Sequence, residues 1–285
     1  MVSAQIKTMS AEDVEMAVTW AANEGWNPGL SDASLFRVAD PTGFFISQHA
    51  NEPIATLSAV RYGQSFGFIG LYIVQPIFRG KGYGWEIWNA GMQYLEGRTI
   101  GLDGVISQQD NYRKCGFVLH HRNIRFEGLA QSAHENLNTQ SHTIVPLSQI
   151  SFQTINEYDR SFFPDDRSVF LSNWISQANS YALGSADMQA LTGYGVIRQC
   201  KVGYKIGPLF ADTEAKAEAL YHALCSKVPA GSPIYLDVPE CNKSALSLAQ
   251  RNGLKPVFET ARMYRGEVGN TRLDETYGIT SFELG

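Results

Sequence analysis

What this sequence has little of narrows the reading first. Cysteine is scarce: Cys115, Cys200, Cys225 and Cys241 lie far apart with no C-x-x-C pair. That spacing excludes a disulfide scaffold and a cysteine zinc cluster, and it predicts a reduced, cytoplasmic setting. The histidines at 49, 134, 142 and 222 are isolated, so no metal site is expected. His120-His121 falls in a strand pattern, where alternation sends neighbouring rings to opposite faces and forbids a shared metal. No apolar run reaches membrane-spanning length, and the first ten residues lack a basic-then-apolar leader pattern, so no membrane partner is expected. Positive charge is in deficit: the formal net charge is −5, which leaves no general basic face for nucleic acid. Two nucleotide motifs are also missing. There is no G-x-x-x-x-G-K-[ST], and Gly80, Gly82 and Gly84 do not satisfy G-x-G-x-x-G.

What is present begins with Arg79-Gly80-Lys81-Gly82-Tyr83-Gly84. An apolar run at 66–74 precedes it, Pro76 ends that run, and a helical pattern at 85–96 follows. A strand, a glycine-rich turn and a helix start make an anion site, because unpaired backbone N–H groups and the positive end of the helix dipole face the turn. Gly82 and Gly84 let the backbone approach a phosphate without a Cβ in the way. Arg79 and Lys81 add local cations. A diphosphate is the expected occupant. Further along stands Asn111-Tyr112-Arg113-Lys114-Cys115-Gly116-Phe117, in which Gly116 reads as the left-handed residue closing a short helix.

With 285 residues, 44% of them hydrophobic, two medium cores are the better expectation than one large one. In the first half, Ser10-x-x-Asp13 predicts a capping box for a helix to about residue 22. Short helices at 31–39 and 107–115 and strands at 5–9, 44–48, 54–62, 66–74, 99–102 and 117–126 follow from periodicity and turn signals. A polar stretch then interrupts the pattern. The second half repeats the scheme: strands at 143–147, 181–183, 188–198, 204–210, 234–237 and 256–264, a turn at 184–187, and helices around 152–162, 167–178, 212–227 and 242–252. A strand-like run at 276–284 is expected to complete a sheet in one of the halves.

The pair Arg79-x-x-Gly82-x-Gly84 and Tyr112-x-x-x-Gly116-Phe117, in this order, resembles the acyl-CoA loop and the fourth helix of the GNAT superfamily of N-acetyltransferases. The element order of both halves is similar to that family as well. The resemblance implies an α/β fold with mixed sheets: two GNAT-like domains in tandem, each a mostly antiparallel twisted sheet flanked by helices. The expected boundaries are 1–128 for an acyl-CoA-binding catalytic domain, 129–141 for a linker and 142–285 for a degenerate domain that supports the first or completes its acceptor pocket. The resemblance further implies acetyl-CoA as donor, held by Ile73, Val74, Arg79, Gly80, Lys81, Gly82, Tyr83, Gly84 and Asn111, with Tyr112 as general acid beside the thioester sulfur. The acceptor would be a small-molecule amine or a protein amino group, in a pocket including Trp26, Asn27 and Tyr72. An amine of lysine type must lose a proton before attack. Glu24, in the loop after the first helix, is the preferred base and Asp103 the second, each also readable as an ordinary helix-end or strand-end acid.

The halves are unequal. Where the first has its glycine loop, the second has Gly207-Pro208-Leu209-Phe210-Ala211-Asp212-Thr213-Glu214, with two carboxylates at the phosphate position, and Ala249 stands where the tyrosine would be. Asn242-x-x-Ala245 keeps a family-like helix start that the first half lacks, since Val105 stands at the equivalent asparagine position. That departure leaves a second reading open, a non-catalytic acyl-CoA sensor.

Overall fold

Local signals set the first elements. In the computed structural model, which describes residues 4–131, 143–187 and 190–285, strand β1 (Gln5–Thr8) runs into helix α1 (Ala11–Asn23). Ser10 accepts a bond from the Asp13 N–H while Asp13 accepts one from the Ser10 N–H, the reciprocal capping box read from the sequence. Val14, Ala17, Val18 and Ala21 form the buried face of α1. Helix α2 (Asp32–Ala39) follows, then an antiparallel run of β2 (Phe44–His49), β3 (Glu52–Tyr62) and β4 (Phe66–Val74). Helix α3 (Tyr83–Tyr94) crosses over to β5 (Thr99–Val105), which lies parallel to β4. Helix α4 (Gln109–Lys114) and β6 (Val118–Leu129) complete the half.

The second half repeats this order. It comprises β7 (Thr143–Pro146), α5 (Phe152–Asp159), α6 (Ser168–Trp174), β8 (Ser180–Asp187), β9 (Ala190–Gln199) and β10 (Tyr204–Ala211). Then come α7 (Glu214–Cys225), β11 (Pro233–Pro239), α8 (Lys243–Arg251), β12 (Lys255–Arg265) and the three-residue β13 (Thr276–Gly278). Residues 184–187 are not the expected turn. They extend β8, because their pairing with β9 continues to Asp187 opposite Ala190. The helix after β10 is capped by Thr213 rather than Asp212. Most of the expected linker, and the expected strand start at 188–189, lie outside the described residues.

One sheet holds all the described strands, in the order β1-β2-β3-β4-β5-β12-β6-β11-β10-β9-β8-β7, with β13 beside β10. The halves exchange their last long strands. β12, from the second half, lies between β5 and β6, and β6, from the first, lies between β12 and β11. Each half of the sheet is therefore completed by the other half's chain. Position along the chain does not encode this, because strand neighbours are chosen by pairing across the whole molecule. A bulge in β6 corrects the histidine expectation. The β12 partners step from His121 to Leu119, leaving His120 unpaired, so the alternation breaks. The two rings then meet with Nδ1 atoms 2.8 Å apart, and burial drives the His121 pKa down to about 3.

The core is shared as well. Phe36 on α2 stacks on Trp174 of α6 at 6.4 Å between ring centroids, and Asp32 forms a fully buried ion pair with Arg198 on β9. Arg198 also lies 4.4 Å over the Trp174 ring. Asp165, in the second half, accepts bonds from the Gln64 and Ser65 amides and so caps the β3–β4 turn of the first.

Candidate active site

The glycine loop has the backbone its residues require. Gly80 and Gly82 adopt φ of +73° and +92°, a region that side-chain-bearing residues rarely enter. Gly82 is the N-cap of α3, so the unpaired amides of the first helical turn face the loop. A Cβ at Gly84 would lie 2.7 Å from the Tyr72 hydroxyl, which is why α3 can sit so close to β4. Arg79 donates through Nε to the Val74 carbonyl at 2.8 Å and through Nη2 to Glu24 at 2.5 Å.

Beyond this loop the sheet opens. β4 pairs with β5 only from Phe66 to Ile69, so residues 70–74 have no ladder partner on that side. The register against β3 shifts at Thr56–Ser58. Leu71, at the shift, has φ of +45°, an unusual conformation for a γ-branched residue and a mark of imposed strain. Its carbonyl accepts from Thr56 Oγ1 at 2.8 Å.

Tyr112, on α4, borders the same opening. Its ring lies 5.5 Å from the Trp88 ring, and a Cβ at Gly104 would collide with it, so Gly104 makes room for the phenol. Burial, reinforced by Tyr72 and Cys115, raises the Tyr112 pKa well above the ordinary phenol value. The Tyr72 phenol is likewise pushed up to about 12, chiefly by burial. Both remain protonated donors near neutrality. Burial also raises the Cys115 thiol, which makes it a poor nucleophile.

A cavity of about 650 Å³ joins these features, within the range of small-ligand sites. Glu24, Trp26, Tyr72, Ile73, Val74, Arg79, Gly80, Gly82, Gly84 and Tyr112 line it, all of them expected from the sequence. Lys81, Tyr83, Asn27 and Asn111 are not on its wall. Lys81 lies 5.6 Å over the Phe78 ring, and Tyr83 packs edge-on against Phe78 at 5.9 Å. The Asn111 amide donates to Gln108 at 2.8 Å. Asn27 joins the halves: its amide donates to the Val202 carbonyl and accepts from the Val202 N–H.

Four wall residues come from the second half: Phe258, Thr260, Phe282 and Glu283. No motif marked them. Phe258 and Thr260 arrive on the exchanged strand β12, and Phe282 and Glu283 on the segment after β13. The remaining acids on the wall are engaged. Glu24 pairs with Arg79, while Asp103 takes Arg262 in a two-pronged pair at 2.6 and 2.9 Å plus the Asn123 amide at 2.8 Å. Neither expected base is free.

The equivalent cleft of the second half is filled. β10 and β11 pair only from Tyr204 to Ile206 before diverging. β13 pairs with β10 in that gap, and the Ile279 N–H donates to the Asp237 carbonyl of β11. A Cβ at Gly207 would lie 2.6 Å from the Ile279 carbonyl oxygen. The expected strand at 276–284 is thus three residues of strand followed by a buried irregular run. Asn242 caps α8 through the Ala245 N–H and donates to the carbonyls of Leu273, Asp274 and Thr276. It holds the segment that fills the cleft. Asp212 takes Arg272 and the Tyr158 hydroxyl, and Glu214 takes Arg251.

Two matching clefts, one open and one filled, define a fold built from two repeats in tandem. The Acetyltransferase (GNAT) family model matches residues 11–117, and the Acetyltransferase (GNAT) domain model matches residues 155–278. The chain carries two GNAT domains in tandem and belongs to that family. It is 28% identical to the holothin acyltransferase of Pseudoalteromonas sp. (strain SANK 73390) over 279 residues, 98% of this chain and 94% of that one. Its fold matches that of a putative acetyltransferase from Pyrococcus horikoshii with a TM-score of 0.83 and 23% identity, covering 100% and 97% of the two chains. A tandem GNAT protein from the clavulanic acid biosynthesis pathway is similar at a TM-score of 0.64 and 13% identity, covering 94% and 99%. Among the described residues no helix is long and apolar enough to cross a membrane.

Proposed function

We propose that this chain is an acyl-CoA-dependent N-acyltransferase, with its donor in the first half and a small-molecule amine as acceptor. The observation that carries this is the single cavity shared by the Gly80–Gly82 helix start, the diverging edge of β4 and the Tyr112 phenol. In this reading the loop amides hold the diphosphate, with Arg79 and Lys81 as cations. The pantetheine arm lies along residues 70–74 of β4, and amides at the Leu71 bulge stabilise the developing oxyanion. Attack of the amine nitrogen on the acyl carbon expels the thiolate, to which the Tyr112 hydroxyl donates a hydrogen bond. A phenol held above its ordinary pKa acts by hydrogen bonding in the transition state, with complete transfer uphill. An acceptor walled by the second half is better suited to a small amine than to a protein chain, and acetyl-CoA is the simplest donor. The relative named a holothin acyltransferase supports acyl transfer. Four free thiols support a reducing compartment such as the cytoplasm.

Thiol release from acetyl-CoA and longer acyl-CoAs across a panel of alkyl and aryl amines, with the amide product confirmed by mass, tests this. Turnover on at least one amine is expected. Val105 at the family's asparagine position favours the sensor reading instead, and calorimetric binding of acetyl-CoA with no amine acylated would select it.

A further inference from the structure

Three acids line the cavity, and two of them, Glu24 and Asp103, are tied to arginines. The third, Glu283, is only 2% exposed, yet neither carboxylate oxygen has a hydrogen-bond partner. A buried acid left without a donor is costly, and such groups persist where function needs them. We propose that Glu283 is the base that takes the proton from the acceptor amine, an assignment that rests on the N-acyltransferase reading above.

Its position supports this. A Cβ at Gly70 would collide with the Glu283 carbonyl oxygen, so this residue crosses β4 one position before the Leu71 bulge, where the thioester carbonyl would lie. The segment is fixed at both ends. β13 is paired to β10, and the Leu284 carbonyl accepts from the Tyr62 hydroxyl at 3.0 Å. The aromatic walls Trp26, Phe258 and Phe282 beside it suit the body of an apolar amine.

The charges around Glu283 suit a base. Lys205, Arg125 and Arg198 face it as cations and Asp32 as an anion. Arg125 pairs with Asp237, and Arg198 pairs with Asp32 through Nε and Nη2 while its buried Nη1 has no partner. Lys205, 1% exposed, has no carboxylate in hydrogen-bond contact and makes only a 3.4 Å contact with the Trp26 carbonyl; burial and Arg125 lower its pKa, while Glu283 is among the groups that favour its charge. Burial raises the Glu283 pKa while Lys205 opposes the shift, giving a base stronger than an ordinary carboxylate and nearer working pH. The step balances. The bond from the amine nitrogen to the acyl carbon forms, the C–S bond breaks, the amine proton goes to Glu283, and the thiolate leaves with a hydrogen bond from Tyr112. Solvent then takes the proton from Glu283 and protonates the released thiolate.

The test uses the best acceptor from the amine panel, chosen among aryl amines whose own ionisation lies well below that of a carboxylate. Wild-type kcat/KM should fall on the acid side as Glu283 is protonated. E283Q should lose that acid limb and on the order of 10² of kcat, with wild-type melting and acetyl-CoA binding by calorimetry. E283D, which keeps the charge but shortens its reach, should keep the limb and lose roughly tenfold in kcat. This second variant carries the test if E283Q does not fold. A folded E283Q or E283D with wild-type kcat and pH profile overturns Glu283 while leaving the function standing. If no amine turns over, both readings fall.

Discussion

The two clefts of this molecule are built alike, but one stands open and the other is filled. Between β4 and β5 the strands part after Ile69 and leave an open wall backed by glycines with positive φ. Between β10 and β11 they part after Ile206, and the chain's own residues 276–279 occupy the gap. The second cleft keeps the asparagine cap of its family but turns it on the segment at 273–276. The peptide that fills the second cleft also reaches across the molecule. Here it delivers Phe282 and Glu283 to the other cleft.

The largest effect should come from removing that segment. Tyr277, Ile279, Phe282 and Leu284 are all buried. At roughly 1.5–3 kcal/mol each, their loss, roughly 6–12 kcal/mol, rivals the whole stability of a domain, about 5–15 kcal/mol. Deleting residues 276–285 should abolish cooperative thermal unfolding, measured by circular dichroism. A truncated protein that melts normally would make the second cleft a mere resting place for a loose end.

The next effect concerns the joint between the halves. Asp32→Ala strands Arg198, which is fully buried. Breaking such a pair from one side costs about 3–5 kcal/mol, read from the shift in denaturant midpoint at constant slope. A shift equivalent to less than 1 kcal/mol, roughly that of an exposed pair, would mean that the halves do not depend on this contact.

Chemistry comes third. Tyr112→Phe should lower kcat on the order of 10²-fold while acetyl-CoA affinity by calorimetry stays near wild type. Equal losses in both would show a packing role beside Trp88 instead. The smallest effect is expected at the filled cleft: Glu214→Gln removes one half of an exposed pair with Arg251 and should change stability by about 0–1 kcal/mol. It should create no second acyl-CoA site, because the segment still fills the gap. Two calorimetric sites in that variant would show that charge, not peptide, closes the second cleft.

The legible parts of the site were the local ones. The capping box at Ser10, the left-handed Gly116 that closes α4, and the placing of Tyr112 four residues before Gly116 depend only on residues a few positions apart. The illegible parts depend on distant neighbours. Asn27 read as a pocket residue, yet its amide is engaged by Val202. Glu24 read as the preferred base or an ordinary helix-end acid, and the sequence did not show that Arg79 of a separate loop pairs with it. The His120-His121 face assignment failed because a single bulge reverses the alternation on which it relied.

By itself the sequence determined the repeated order of elements, the glycine-rich helix start in one half, and the absence of that start in the other. Helix caps and turn conformations follow from short-range sterics and hydrogen bonding, which are written residue by residue. Only the tertiary structure decided the exchange of β6 and β12, the filling of the second cleft, and the arrival of Phe258, Phe282 and Glu283 at the first. Strand partners are chosen by burial and ladder pairing over the whole molecule, and that competition leaves no local mark on the residues that win it.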